Sequence, residues 1–382
     1  MIIQIIIYKI QFFTLLASAA IVSFQHELFM LDRGVELTIA LLVFGAGQIT
    51  TMITNITVRK YTDKLDSNKL LQISLCMRTL VMVAMFFTTN STAFIALYLI
   101  YVFFSSFGFI FESAAAAWAV EKKVSFASLR IYGSLGFAIA GLMVTYLYNL
   151  TGVLNYVLLF LAFLNGINAY ISIKKPFDIK PKKKNEAIEK VDVHTRVILI
   201  LCAIITVMPG AFSVVLNNAY RYQFGLDVYQ ALLFSSIAVL LGSFISEFIG
   251  FKTVDKLIKK IRPHKTILLG IVLSLLRWVT TVIAPTYWTL TLTFAFHGFI
   301  FAYVYLGVLA YIRPEITTKA VMEWMIFSNI INFLLVQLTN LLLNIFPNVA
   351  VPISFVGFNI IVLLVYLAIY KKTRFRYVSP AK

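Results

Sequence analysis

The chain has 382 residues, 60% of them hydrophobic and 13% charged, with a mean hydropathy of +0.90. That apolarity excludes an ordinary soluble domain, and the unbroken character of the apolar runs excludes the alternating ~10-residue strands of an outer-membrane barrel. A formal charge of +17 invites a nucleic-acid partner, so the placement of the cations has to decide the matter.

A hydrocarbon core needs about 20 apolar residues per spanning helix. Hydropathy along the chain predicts twelve such runs, near 10–31, 36–57, 69–89, 93–117, 131–152, 154–173, 197–219, 229–251, 266–284, 287–312, 320–346 and 349–370. In the first, Lys9 stands ahead of FFTLLASAAIVSF in the manner of a signal peptide. Eleven more runs follow, so it is read as an uncleaved first helix. The expected fold class is all-α and integral to the membrane, with twelve transmembrane helices in two pseudo-symmetric six-helix bundles. The bundles cover 1–173 and 197–382, the second ending in a short basic tail, with a linker at 174–196.

Of the 33 Lys and Arg, 28 fall in alternate loops and the C-terminal tail: four in 59–69, three in 121–130, eight in 174–196, six in 252–265, two in 313–319 and five from Lys371 onward. The intervening loops hold Arg33 and Arg221, and Lys9, Arg78 and Arg277 lie in or beside spans. The positive-inside rule then places both termini and the linker in the cytoplasm, in a multi-pass protein of the plasma membrane. The lipid bilayer, not nucleic acid, is the expected surroundings. Cys76 and Cys202 both fall in spans and imply no disulfide framework.

Taken in chain order, the first polar signal is the loop YTDKLDSNK after span two. There Asp63 and Lys64 are either ordinary loop charges or gating groups, with Asp63 capping span three or pairing across the bundle. Charges inside spans are stronger pointers, because each costs about 2.5–3.5 kcal/mol even on the lenient insertion scale. Arg78 in span three and Glu112 in span four each lie nine residues from a cytoplasmic marker, Lys69 and Glu121, so both sit roughly 13 Å deep, and equal depth on consecutive helices makes a pair between them feasible. A structural ion pair is one role; the other makes Glu112 the proton-coupling carboxylate and the arginines substrate or coupling groups.

Span five opens with LRIYGSLGFAIAG. Gly133, Gly136 and Ala140 share one helical stripe and Ser134, Ala138 and Gly141 its neighbour. Small residues so spaced let two helices approach closely in lipid, so this helix is expected to pack tightly against another. Arg130 at its cytoplasmic end is a candidate gating contact, able to meet carbonyls, an acid from span four or headgroups. No proline occurs from 124 to 173, which argues against a drug exporter with a Gly-Pro element in span five. The long polar segment KKPFDIKPKKKNEAIEKVDVHTR then separates six spans from six.

In the second half, Asn217 and Asn218 in span seven and Asn329 and Asn332 in span eleven either line a polar cavity or join helices. Glu247 near the end of span eight and Glu323 opening span eleven read as gating or loop contacts. Arg277 and Trp278 in span nine and His297 in span ten complete the substrate or coupling set. His297 either titrates or donates a neutral hydrogen bond. Trp118, Trp278 and the tyrosines of FAYVYLGVLAY offer stacking surfaces. The halves repeat one another, with FGFIFE from Phe107 matching HGFIFA from His297 at an offset of 190 and Asp63-Lys64 matching Asp255-Lys256.

No Gly-x-x-x-x-Gly-Lys-Ser/Thr, His-Glu-x-x-His or Gly-x-Ser-x-Gly pattern occurs, so neither an enzyme nor an ATP-driven pump is expected. No cofactor or metal is expected. Energy would come from a proton gradient, with Na⁺ an open alternative, or transport would be passive.

Two six-helix halves around a central cytoplasmic loop resemble the major facilitator superfamily, in which a substrate site lies near the midplane between the halves. The segment RIYGSLGF (Arg130 to Phe137), LRW (Leu276 to Trp278) and HGFIF (His297 to Phe301) resembles one branch. That branch holds the phenylpropionate permease, the nucleoside:proton symporters and, more distantly, lactose permease. Glu112 and Arg130 keep its acid-to-arginine spacing of eighteen residues, with Tyr132 in place of a tryptophan. The resemblance implies alternating access and proton-coupled uptake of a small organic solute such as a sugar, nucleoside or aromatic acid, by a protein expected to act as a monomer. The alternatives are an exporter of drugs or metabolites and a non-transporting receptor or assembly partner.

Overall fold

The computed structural model describes residues 2–24, 26–61, 67–122, 124, 126–175, 191–312, 317–345 and 350–376, and among these the chain is helical with no strand. The α-helices are α1 (Ile2–Phe24), α2 (His26–Leu31), α3 (Leu37–Tyr61), α4 (Ser67–Phe87), α5 (Ser91–Ser105), α6 (Gly108–Glu121), α7 (Phe126–Thr151), α8 (Asn155–Lys174), α9 (Val193–Ser213), α10 (Leu216–Asn218), α11 (Val228–Val239), α12 (Glu247–Ile261), α13 (Pro263–Val282), α14 (Tyr287–Thr293), α15 (Ala295–Tyr311), α16 (Thr317–Ile345) and α17 (Ala350–Arg376). Two π-helical segments, Ala219–Gln223 and Leu240–Ser246, lie within the seventh and eighth hydropathy runs or at their ends. Eleven stretches among the described residues are long and apolar enough to cross a membrane, and the shorter apolar Ile3–Ala19 stands where a twelfth is expected.

Three boundaries differ from the hydropathy reading. The first span begins at Ile2 rather than near residue 10, because Lys9 does not end the helix. Its ammonium lies 4.6 Å from the centroid of the Tyr132 ring and 3.4 Å from the Tyr132 hydroxyl, so the charge is accommodated where it stands. The eighth span continues from Val228 to Ile261. Spans four and ten, each one run in the sequence, are both broken near the middle.

Hydroxyl groups lie at or near both breaks. In span four, Ser106 Oγ donates to the Phe103 carbonyl at 2.6 Å, and Ser74 Oγ from α4 donates to the Phe104 carbonyl at 2.6 Å. Carbonyls bonded in this way are drawn out of the regular helical ladder between α5 and α6. In span ten, Thr293 Oγ1 donates to the Leu290 carbonyl at 2.7 Å, and the Gly298 amide donates to Ser246 Oγ at 2.9 Å. Discontinuous helices at matching ranks of two halves point to the transport machinery.

By internal contacts the chain divides into two compact units: Met1–Lys184 with Ser213–Leu240, and Asn185–Phe212 with Leu241–Lys382. In the first unit α1 packs on α7 and α8, α4 on α5 and α8, α3 on α5, and α11 on α7. The small-residue stripe explains the α1–α7 contact. A Cβ built on Gly136 would lie 2.2 Å from the Phe13 carbonyl oxygen, and one on Gly133 would lie 2.3 Å from Leu16 Cδ1. The next turns of α7 serve α11, where Ser236 Oγ donates to the Gly141 carbonyl at 2.8 Å and meets Thr145 Oγ1 at 3.0 Å. Ala140 is buried between these contacts. At the end of α2, Arg33 donates to the Phe29 carbonyl and to Asn155 Oδ1, and its guanidinium lies 3.8 Å from the centroid of the Phe94 ring. Burial holds that guanidinium below its ordinary pKa, opposed by Asp32 at 3.7 Å.

In the second unit α13 is central, packing on α15, α17 and α12. Gly298 and Gly250 let α15 and α12 meet backbone to backbone: a Cβ on Gly298 would lie 2.0 Å from the Glu247 amide nitrogen. The core joins Ile198, Ile205, Ile271, Val304, Trp324 and Tyr366.

Candidate functional site

The two span arginines occupy comparable places on α4 and α13, and their surroundings differ in kind. In the first unit Arg78 is 2% exposed, and Nη2 donates to Ser18 Oγ at 2.7 Å and to the Tyr101 hydroxyl at 3.2 Å. Ser18 Oγ in turn lies 3.2 Å from Asn165 Oδ1. The pair of Arg78 with Glu112 that equal depth makes feasible is not the one formed. Glu112 instead meets Arg130 at 3.3 Å, and Arg130 also donates to Ser134 Oγ at 3.3 Å. The spacing of eighteen residues is bridged because α6 and α7 fold back on one another, bringing acid and cation together. The Glu112 and Arg130 side chains are 39% and 23% exposed, so this ion pair is not sealed within the helix packing.

In the second unit Arg277 is fully buried, and Nε, Nη1 and Nη2 have no hydrogen-bond partner among the described residues. Its guanidinium lies 4.5 Å from the Phe294 ring centroid and 4.9 Å from that of Trp278. Trp278 is itself fully buried, edge-on to Phe212 at 5.5 Å and to Phe355 at 4.7 Å, with Nε1 unpartnered among the described residues. His297, half-buried on α15, is close enough to Arg277 to interact electrostatically, and its Nδ1 has no partner among the described residues. Arg277, Trp278 and His297 therefore form one cluster, placed at the break in span ten.

The duplication makes the contrast informative. Asn165 on α8 donates to the carbonyl four residues back and to Met82 Sδ at 3.2 Å. Asn359 on α17 donates to the carbonyl four residues back and to Met208 Sδ at 3.0 Å. The scaffold is thus repeated, while the neighbours of the arginine differ: the hydroxyls of Ser18 and Tyr101 in one half, the rings of Trp278 and Phe294 in the other. A guanidinium has five N–H donors and no acceptor. In the first unit two hydroxyls take up part of that capacity; in the second none of it is taken up among the described residues. An open, desolvated guanidinium walled by aromatic rings is suited to a carboxylate on a flat apolar body.

The remaining candidates separate. Asp63 and Lys64 lie outside the described residues. Glu323 accepts two hydrogen bonds from Arg196, at 2.8 and 3.2 Å, a bidentate pair joining α16 to α9. Glu247 is buried at the start of α12, against Gly298. Asn329 is half-buried on α16, and Asn218 closes α10 in the first unit. Trp118 packs on Tyr8 at 4.8 Å, and Tyr305 stacks on Phe301 at 5.3 Å, so these rings belong to the packing rather than to a free platform. A groove of about 530 Å³ between α4 and α8, lined by Thr79, Val83, Phe163 and Tyr170 among others, is apolar and includes none of the site residues.

The sequence patterns do not single out Glu27. It is fully buried in α2, and neither carboxylate oxygen has a hydrogen-bond partner among the described residues. The signal was present: an acid inside the apolar run 10–31 carries the same insertion penalty as Arg78. A tally of lysines and arginines alone passes over it.

Comparison with known proteins gives one family and one fold. The family profile described as Major Facilitator Superfamily matches residues 7–334. No curated protein sequence matches the chain. Among solved structures, a point mutant of the nucleoside transporter NupG is 14% identical, over 95% of this chain and 98% of that one, with a TM-score of 0.74. An auto-inhibited POT family peptide transporter is 10% identical, over 99% and 98%, with a TM-score of 0.76. The POT family transporter PepTSo is 11% identical, over 98% and 99%, with a TM-score of 0.75.

Proposed function

The chain belongs to the Major Facilitator Superfamily, and from that premise we propose that it takes up a small organic anion together with protons, by alternating access across the plasma membrane. Of the three solute classes implied by its resemblance, the aromatic acid fits best. The observation that carries this reading is the Arg277 guanidinium, fully buried with three nitrogens unbonded among the described residues beside Trp278 and Phe294. A desolvated cation without a counter-ion is costly to keep. An arriving carboxylate offsets that cost in a way that a neutral sugar or nucleoside cannot. At these identities the nucleoside and peptide transporters support the fold and leave the cargo open.

Anion uptake also gives a reason for proton coupling. Moving one negative charge inward against the membrane potential costs about 2.3 kcal/mol per 100 mV. One co-transported proton removes that term and adds the pH gradient as a driving force. Glu112 is the proposed carrier: protonation breaks its partly exposed pair with Arg130, so proton occupancy and helix contact change together. His297 and Asn329 are proposed to contact solute rather than protons.

The test is a thermal-shift screen on purified protein with aromatic carboxylates, their uncharged amides, nucleosides and sugars. Carboxylates are expected to stabilise the protein and their amides are not. Arg277→Gln should weaken carboxylate binding by about 10- to 100-fold, the worth of a charge-assisted hydrogen bond. Stabilisation by nucleosides or sugars and not by carboxylates would overturn the proposal.

A further inference from the structure

The groove between α4 and α8 plays no part in the site described above. It holds about 530 Å³, lies within the first unit and follows α8 from Leu159 to Tyr170, eleven residues or about 16 Å along the axis. Gly166 and Ala162 open it. A Cβ on Gly166 would have Thr79 Cγ2, at 3.9 Å, as its neighbour from outside the helix. Unlike Gly133 and Gly136, this glycine is not required by close helix packing; it leaves space instead. Thr79 Oγ1 donates to the Leu75 carbonyl at 2.9 Å, so the threonine turns its methyl group toward α8. The second half carries a large side chain at the matching place: aligning Asn165 with Asn359 sets Gly166 against Ile360, which is exposed.

The surroundings of the groove are apolar, and one end of it is cationic. Phe163 and Tyr170 in its wall and Ile73, Leu80, Phe87 and Ile173 on the same two helices are all exposed, a surface turned to hydrocarbon rather than to water. Gln72 Nε2 donates to the Ser172 carbonyl at 3.0 Å, which fixes the register of α4 on α8. Three residues farther out on each helix come Lys69 and Lys175, with Lys174 beside the latter, and all three are exposed. Lys174 is four residues beyond Tyr170, or about 6 Å past that end of the groove. Neither helix contains an acidic residue.

We propose that the groove holds one acyl chain of an anionic phospholipid from the leaflet on the lysine side, with the lipid phosphate among Lys69, Lys174 and Lys175. A water-soluble ligand would meet no polar group in the groove except the Tyr170 hydroxyl and that of Thr79, which already donates within its own helix. A partner's spanning helix, about 10 Å across, is too wide for a cleft between two helices in direct contact, whereas an acyl chain is narrow and flexible. Leaving bulk lipid for the groove gains no hydrophobic free energy. Retention therefore comes from close packing along the groove and from attraction of the phosphate to the lysines, which selects an anionic headgroup. The seated chain would lie behind Arg78 and Asn165, the neighbours of Thr79 and Gly166 in sequence, and brace the helices that hold their buried network. The inference is independent of the proposed cargo and of proton coupling.

The test is native mass spectrometry of the full chain, purified in detergent and given equal amounts of dioleoyl phosphatidylglycerol and dioleoyl phosphatidylcholine. The unmutated protein should retain one phosphatidylglycerol in preference to phosphatidylcholine. Gly166→Ile, which copies the residue of the second half, should lose that molecule. The combination of Lys69→Gln, Lys174→Gln and Lys175→Gln should lower the preference by about 10-fold or more, since one cation near an anionic headgroup is worth about fivefold. Equal retention of the two lipids by the unmutated protein, or undiminished phosphatidylglycerol on Gly166→Ile, overturns the inference. So does a dimer that Gly166→Ile abolishes, which would give the groove to a second copy of the chain. If Gly166→Ile does not fold, the lysine variant decides, and an unchanged preference overturns the inference.

Discussion

Replacing Gly136 by alanine adds a single methyl group at the point where α7 crosses α1. The new Cβ would lie 2.2 Å from the Phe13 carbonyl oxygen and 2.9 Å from both Phe13 C and Cα, whereas ordinary contact begins at 3.4 Å. All three atoms are backbone, so no rotamer change relieves the overlap, and the helices must separate by about 1 Å along their whole contact. Overpacking of this kind costs about 1–3 kcal/mol, and alanine's better helix propensity returns up to about 1 kcal/mol. Gly136→Ala is therefore expected to destabilise by about 1–2 kcal/mol. Gly133→Ala is the internal control. Its Cβ would meet Leu16 Cδ1 at 2.3 Å, the mobile tip of a side chain, and the propensity gain should nearly cancel the cost. The assay is unfolding of purified protein in mixed micelles, followed by tryptophan fluorescence. Equal stability of the two variants, or rescue of Gly136→Ala by Phe13→Ala, would refute the backbone contact as the cause.

Two further predictions concern the charged groups of the transport reading. Glu112→Gln should abolish uphill uptake into proteoliposomes yet leave solute exchange within about twofold, because exchange needs no net proton movement; uphill uptake that survives removes Glu112 from the coupling role. Arg78→Gln should lower stability by about 1–3 kcal/mol, since it removes the buried donor to Ser18 and Tyr101, whose hydroxyls keep their own donations to the Leu15 and Ser18 carbonyls. Arg277→Gln in solute-free protein should leave stability unchanged or raise it, because an unpaired buried charge is removed. Thermal melts of the two variants side by side test the contrast, and a loss for Arg277→Gln as large as that for Arg78→Gln would place its partners inside the protein.

Much of the architecture was legible from apolar run length alone, because a bilayer fixes how many residues a spanning helix must have. The packing of α7 was legible too: glycine and alanine at helical spacing specify a close approach whatever the partner. What the linear pattern could not supply was the partner itself, α1 at Gly136 and α11 at Gly141. Nor could it show the breaks in spans four and ten, where hydroxyls from other parts of the fold, Ser74 and Ser246, take part in the hydrogen bonding of the broken segments. Depth in the membrane was a fair guide to which charges are buried and a poor guide to which ones meet. Arg78 and Glu112 share a depth, but their azimuths around α4 and α6 send one to Ser18 and Tyr101 and the other to Arg130.

The duplication bears on function more than any single motif does. A repeated scaffold starts with the same demands in both halves: an arginine in the third span, an asparagine in the sixth, and a broken fourth span. Where both copies remain satisfied internally, the residue is part of the structure, as with Asn165 and Asn359 on their paired carbonyls and methionines. Where one copy keeps its hydroxyl partners and the other faces rings, the second is retained against a standing cost in stability. Such a cost persists only if something outside the fold offsets it, and an anionic solute that comes and goes is the partner whose chemistry fits Arg277.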